Sequence, residues 1–366
     1  MSKLPIIKPS ITINGRRIGT DEPVYIIAEM SANHDQDFDK AVQILKAMKE
    51  SGADAVKLQT YTADTMTIDC DNTYFQIGEG TIWEGRNLYD LYKEAYTPWE
   101  WQPKLKKIAN DLGMDLFSTP FDDTAVDFLE EMDVPAYKIA SFELNDLPLI
   151  RKVAATGKPM IMSTGMATKE EITEAIDTAI SEKNNQIVLL KCTSAYPAPP
   201  ESMHLNTIPD MQKKFAVPVG LSDHTLETEV PVVAVALGAC VIEKHFTLSR
   251  NDPGPDSAFS LEPQEFREMV DAVRAAERNP PTDLNATILG NVLYGGSSAD
   301  ESSKTFRRSL FAVENIAQGQ PLTPKNVRCI RPGYGIAPKH RDEVIGKTAT
   351  KDIPRGTPLS WDLMTV

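Results

Sequence analysis

The sequence predicts a TIM (β/α)8 barrel, an α/β fold of eight parallel strands, followed by a small β-rich C-terminal domain. Three observations carry that reading. Eight short apolar runs alternate with helical patterns over the first ~250 residues, which is the arithmetic of such a barrel. The runs end in hydroxyl, amide or ionisable residues, and in a barrel those ends converge on one rim. No Gly-x-Gly-x-x-Gly follows the first run, which argues against a doubly wound open sheet, the alternative that the same alternation allows.

A hairpin is expected at Ile11 to Ile18, turning on Asn14-Gly15. The barrel runs then begin at residues 24, 55, 115, 136, 159, 187, 219 and 240. Helical spacing of apolar residues marks Phe38 to Lys49, Pro103 to Leu112, Ala125 to Met132, Leu147 to Ala155, Lys169 to Ser181, Thr228 to Leu237 and Pro263 to Arg278. One connection, from Tyr61 to Trp99, is far longer than a usual βα loop and rich in aromatic residues. It reads either as a lid or oligomer contact on the rim, or as a surface decoration with its own small core. Breaking residues cluster at Asn279-Pro280-Pro281 and Tyr294-Gly295-Gly296-Ser297. The division is therefore residues 1–280 for the barrel, 281–305 for a linker and 306–366 for the second domain.

The last two barrel runs end in Ser222-Asp223-His224 and Glu243-Lys244-His245. With a period of two, Ser222 and His224 share one face, as do Glu243 and His245, so neighbouring strands could aim both imidazoles into one space. With Asp223 and Glu243 adjacent, this has the makings of a divalent metal site; the alternative is two histidines satisfied by hydrogen bonds at strand ends. Lys57 and Lys138 stand on separate strands, and a buried lysine needs an anion or a route to the rim. Hydroxyls at Ser118, Thr119, Ser141, Ser163 and Thr164 can donate to phosphate or carboxylate oxygens. A small, doubly anionic phosphorylated substrate fits; a Schiff-base lysine of an aldolase is the competing solution.

The net charge of -14 makes nucleic acid and anionic membrane surfaces poor partners, so an anionic substrate needs this local cluster of lysines. The four cysteines form no Cys-x-x-Cys pair, and Met1-Ser2-Lys3-Leu4-Pro5 has no apolar signal core. A cytoplasmic enzyme is expected.

The motifs Ile27-Ala28-Glu29, Lys57-Leu58-Gln59-Thr60, Phe117-Ser118-Thr119-Pro120-Phe121, Lys138-Ile139-Ala140-Ser141, Ser163-Thr164-Gly165-Met166, Gly220-Leu221-Ser222-Asp223-His224-Thr225 and Glu243-Lys244-His245-Phe246 resemble the sialic acid synthase family. The tail, with Arg331-Pro332-Gly333-Tyr334-Gly335-Ile336, resembles the antifreeze-like (SAF) domain of those enzymes. The resemblance implies condensation of phosphoenolpyruvate (PEP) with an acetamido sugar and water. It implies that His224 and His245 hold a divalent cation, Mn²⁺ with Mg²⁺ or Co²⁺ as alternatives, and that Lys57, Thr119, Lys138, Ser141, Ser163 and Ser222 cradle PEP. Glu29 and Glu243 would serve as the catalytic carboxylates, while Gln59, Ser194, Tyr196 and Asp256 would meet the sugar. Arg331 would reach the sugar site of a partner in a homodimer whose tail domains cover each other's barrels.

Within the family, Glu29-Met30-Ser31-Ala32-Asn33-His34, the 88–98 insertion and Gly254-Pro255-Asp256-Ser257-Ala258-Phe259-Ser260 look most like the branch that takes 2,4-diacetamido-2,4,6-trideoxy-L-altrose. Members that make neuraminic or legionaminic acid are the alternatives; neuraminate-forming members usually read Ile-Gly-x-Asn-His where this chain has Met30-Ser31-Ala32-Asn33-His34. A non-catalytic sugar-binding protein is a reading from another class, against which the buried cations Lys57 and Lys138 and the pair His224 and His245 speak.

Overall fold

The structure, a computed structural model, describes residues 10–365. The extreme N-terminus read above for a signal core lies outside that span. Eight parallel strands close into a barrel: Tyr25–Glu29, Ala55–Thr60, Asp115–Pro120, Tyr137–Ile139, Met160–Ser163, Ile187–Cys192, Val219–Asp223 and Val241–His245, with the eighth pairing to the first. These are the apolar runs of the sequence, trimmed by a residue or two where the chain turns out of the sheet. Their side chains are almost all buried, as expected of strands covered on both faces.

A principal helix follows each strand: Phe38–Glu50, Gln102–Asp111, Asp123–Glu131, Leu147–Ala155, Lys169–Ser181, Thr207–Phe215, Glu229–Ala236 and Pro263–Arg278. The polar residue before several of them sets the start. Asp37 accepts from the N–H groups of Asp39 and Lys40, and Thr168 and Glu171 form a reciprocal capping box. The helix Thr207–Phe215 is absent from the sequence reading. It buries Ile208, Met211 and Phe215, a short stripe interrupted in its first turn by Pro209, where proline is tolerated.

The expected hairpin, Ser10–Ile13 with Arg16–Gly19, lies against the N-terminal ends of the strands. Asn14 bonds Asp115, Arg16 pairs with Asp54, and Ile11, Ile13 and Ile18 join the barrel core. At the opposite rim the 61–99 connection folds into two short helices, Ala63–Met66 and Leu88–Ala95, with intervening turns. Its Tyr61, Phe75, Leu88 and Tyr92 share one apolar cluster with Phe121 and Phe142 of the barrel and with Phe306, Phe311 and Ile330 beyond it. The apolar core of the insertion is thus shared, and it forms the seam between barrel and tail.

Residues 281–305 run back across the rim, with Gly295 N–H bonded to Ala167 O and the Asp300 carboxylate accepting from Ser194 N–H at 2.6 Å. The tail pairs Ser309–Ala312 antiparallel with Val327–Ile330 and closes a small core around Leu310, Ile316, Leu322, Ile353 and Leu359. No helix among the described residues is long and apolar enough to cross a membrane.

Candidate active site

A cavity of about 850 Å³, mouth included, opens at the C-terminal ends of the strands. Lys57, Gln59, Lys138, Ser141, Ser163, Tyr196, Ser222, His224, Glu243, His245, Asp256 and Arg331 all line it. Strand pairing explains the convergence: Glu29 stands in register with both Lys57 and His245, and Glu243 with Ser222.

The floor is a buried charge cluster. Lys57 Nζ lies 2.5 Å from Glu29 Oε2 and 2.7 Å from Glu243 Oε1. Lys138 Nζ is 3.8 Å from the same Glu243 oxygen and donates to Ser163 Oγ at 2.7 Å, while Ser222 Oγ donates to Glu243 at 3.1 Å. Burial pulls the Lys57 ammonium down to about 8, against the pull of Glu243 in the other direction. Burial works against charge on Glu243 too, yet Lys138 and Lys57 hold its carboxyl below the ordinary range. Glu243 Oε2 has no hydrogen-bond partner among the described residues, so an acceptor is free at the cluster's edge.

The two histidines face each other across the cavity with ring centroids 5.4 Å apart. His224 Nδ1 meets the Thr193 carbonyl at 2.8 Å, which places the proton on Nδ1 and leaves Nε2 as a lone-pair donor. His245 is buried, its basicity pushed well below the usual value first by that burial and then by His224 and the lysines, and its Nδ1 has no partner among the described residues. Two imidazoles so disposed fit an open cation site. Among the described residues no third His, Cys, Asp or Glu completes a cluster, so further ligands would come from substrate or water. Asp223, expected beside the metal, points to the opposite face of its strand and forms a buried ion pair with Lys244. The same period of two that brings His224 inward turns Asp223 out.

Three of the predicted site residues lie behind the lining. Glu29 meets the lining through Lys57 and the Ser31 N–H, and Thr119 is buried with its Oγ1 unpartnered among the described residues. Ser194 Oγ sits 2.9 Å from Ser141 Oγ. Gly165 makes room for that pair: at φ +44 it needs no side chain, and a Cβ there would lie 2.4 Å from Ser141 Cβ and 2.7 Å from Ser194 Oγ.

Arg331, expected at the sugar site, lines the cavity within its own chain. The linker returns across the rim, and Arg331 N–H bonds Met66 O of the insertion. Its guanidinium donates to Glu143 Oε1 at 2.7 Å and to Tyr92 OH at 3.1 Å, with Phe142 beneath it. Glu143 is missing from the sequence reading, since nothing local in the turn Ser141–Glu143 announces a partner 188 residues away. Trp83 arrives from the insertion and packs on Tyr196 and Phe306, its indole N–H donating to Pro255 O. With Phe121, Phe142 and Phe259 they give the cavity an aromatic mouth above its charged floor.

The site thus sets a lysine–carboxylate cluster, two facing imidazoles and an aromatic wall at the rim of a closed parallel barrel. Comparison with known proteins gives the class. The NeuB family model matches residues 44–280 and the SAF domain model residues 307–364. The chain is 45% identical over 343 residues to a pseudaminic acid synthase of Campylobacter jejuni, covering 93% of this chain and 96% of that one. It is 35% identical over 356 residues to an N,N'-diacetyllegionaminic acid synthase of Legionella pneumophila, covering 96% and 97%. The crystal structure of the spore coat polysaccharide biosynthesis protein SpsE of Bacillus subtilis superposes with a TM-score of 0.85 at 34% identity, over 98% of this chain and 99% of that one. The chain belongs to the NeuB family, the sialic acid synthases. It is an enzyme of the PEP-dependent nonulosonic acid synthases.

Proposed function

We propose that the chain is a pseudaminic acid synthase, condensing PEP with the open-chain aldehyde of 2,4-diacetamido-2,4,6-trideoxy-L-altrose and water to give pseudaminic acid and phosphate. The observation that carries this reading is the division of the cavity. Its lysine- and hydroxyl-lined floor suits the phosphate and carboxylate of PEP, and its aromatic mouth suits a sugar with two acetyl methyls and a 6-deoxy carbon. The 45% identity to a pseudaminic acid synthase against 35% to a legionaminic acid synthase supports the same choice.

Lys57 and Lys138, with Ser141, Ser163 and Ser222, hold the anion at the floor. His224 and His245 would hold the divalent cation, Mn²⁺ on the family resemblance, which would supply Lewis acidity toward the sugar aldehyde. The nucleophilic carbon of PEP bonds to the aldehyde carbon, water adds to the adjacent cationic centre, and C–O cleavage releases phosphate. Glu243, an anion between two lysines with one oxygen free, orients the water and stabilises the cationic centre; Glu29 fixes Lys57 and assists proton transfer. Gln59, Tyr196, Asp256 and Arg331 meet the sugar. A homodimer is part of this reading, and exchange of tail domains would set the same Arg331 against the same pocket.

The test is phosphate release by Mn²⁺-loaded enzyme with the altrose sugar, its gluco- and manno-configured relatives and N-acetylmannosamine. Turnover confined to the altrose sugar is expected and should vanish on chelation. Preference for another sugar would move the substrate, and no metal-dependent release with any would overturn the reading.

A further inference from the structure

Ser31 follows the first barrel strand in the left-handed region, at φ +46, where a side chain is disfavoured and glycine is at ease. It is buried and lines the cavity. Its N–H donates to Glu29 Oε1 at 2.9 Å, a bond that glycine would make equally well. What the side chain adds is a hydroxyl placed between two other lining groups. Gln59 Nε2 lies 2.9 Å from Ser31 Oγ, and Asp256 Oδ2 is in close hydrogen-bond contact with the same oxygen.

With Asp256 ionised, the polarity of this chain of bonds is determined. A hydroxyl has one proton, and the Asp256 carboxylate can only accept it. Gln59 must then donate its amide N–H to the Ser31 oxygen, which orients the amide with Oε1 turned away. Ala32 N–H, at 3.5 Å from Asp256 Oδ2, supports the same carboxylate oxygen. Neither Gln59 Oε1 nor Asp256 Oδ1 has a hydrogen-bond partner among the described residues, and both side chains line the cavity.

We propose that Ser31 is a positioning residue that sets sugar specificity: its hydroxyl orders Gln59 and Asp256 as two acceptors facing the cavity, so the sugar group they bind is an N–H or O–H donor. This rests on the synthase reading above and adds to it the polarity of one sugar subsite. In an acetamido sugar the donors are the amide N–H and the ring hydroxyls. Without the Ser31 hydroxyl, Gln59 is free to turn its amide and Asp256 loses its orienting donor, so a sugar donor can meet a protein donor. The floor that holds PEP is untouched.

The experiment follows phosphate release by wild type, Ser31→Gly and Ser31→Ala, varying sugar and PEP separately and using whichever sugar of the panel above the wild type turns over best. The sugar KM should rise about tenfold in both variants while the PEP KM stays within about twofold, the split that separates a sugar-positioning role from a general loss of the site. Ser31→Gly relieves the backbone strain, so it carries the test if Ser31→Ala does not fold. A sugar KM within about twofold of wild type in Ser31→Gly, or sugar and PEP KM rising together, overturns the proposal. Wild-type turnover of N-acetylmannosamine alone would overturn the pseudaminic reading and leave this test intact, whereas no turnover of any sugar would overturn both.

Discussion

Lys57 Nζ lies 2.7 Å from Glu243 Oε1, and both groups are buried beneath the cavity. Because Glu243 also sits 3.8 Å from Lys138, its carboxylate is shared by both ammonium groups, with Glu29 a second anion on Lys57. An arriving anion competes with Glu243 for the lysines. Glu243→Gln should therefore tighten PEP binding by a few fold while lowering kcat by about a hundredfold or more, because the charge lost is one that serves the later cationic centre. Steady-state kinetics decide; a PEP KM that rises would contradict the competition.

The pH dependence of PEP capture follows from Lys57. Its ammonium is the form that attracts PEP, and burial brings it down to about 8, so the protonated form is lost as pH rises through that value. The kcat/KM for PEP should fall on the alkaline side of pH 8. In Lys57→Arg the guanidinium stays charged, and the alkaline limb should move beyond the measurable range even if the plateau is lower.

Arg331 and Glu143 make a buried pair across the seam of the two domains. Removing the guanidinium leaves Glu143, one of whose oxygens already has no partner among the described residues, as an uncompensated buried charge. Arg331→Ala should cost about 3–5 kcal/mol in urea unfolding, and Glu143→Gln in the same chain should recover much of it. The sugar KM should rise in Arg331→Ala; unchanged sugar kinetics would remove Arg331 from the sugar site.

His34 gives the fold an acid limit. It accepts from Gln36 N–H on Nδ1 and meets Thr97 Oγ1 through Nε2, and burial first, then Lys40, lowers it from 6.5 to about 4. The folded chain thus resists a proton that the unfolded chain takes up at about 6.5. Its contribution is complete above that pH and falls as pH drops toward 4, by about 3 kcal/mol in all. His34→Gln should flatten the stability profile in that window, read as urea midpoints from pH 4 to 7.

The strands were legible because a buried parallel strand must be apolar along its length and can be polar only where it emerges, so Val241-Ile242-Glu243-Lys244-His245 announces its own rim. The same logic placed Lys57, Lys138 and the histidine pair. It failed where the signal is not periodic. Glu143 has no meaning until Arg331 comes to it from the tail, and Ser31 looks like any loop serine until its φ and its two partners are known. Thr119 and Ser194, named from motifs, lie a layer behind the surface that their neighbours form.

The Asp300 contact with Ser194 gives the linker a property of its own. Downstream of it, Arg331 grips the same barrel, so the tail is fastened twice after the stretch 281–299 has ended. A protease nick in that stretch would cut the covalent chain without parting the pieces. They would travel as one particle under native conditions and separate only in denaturant.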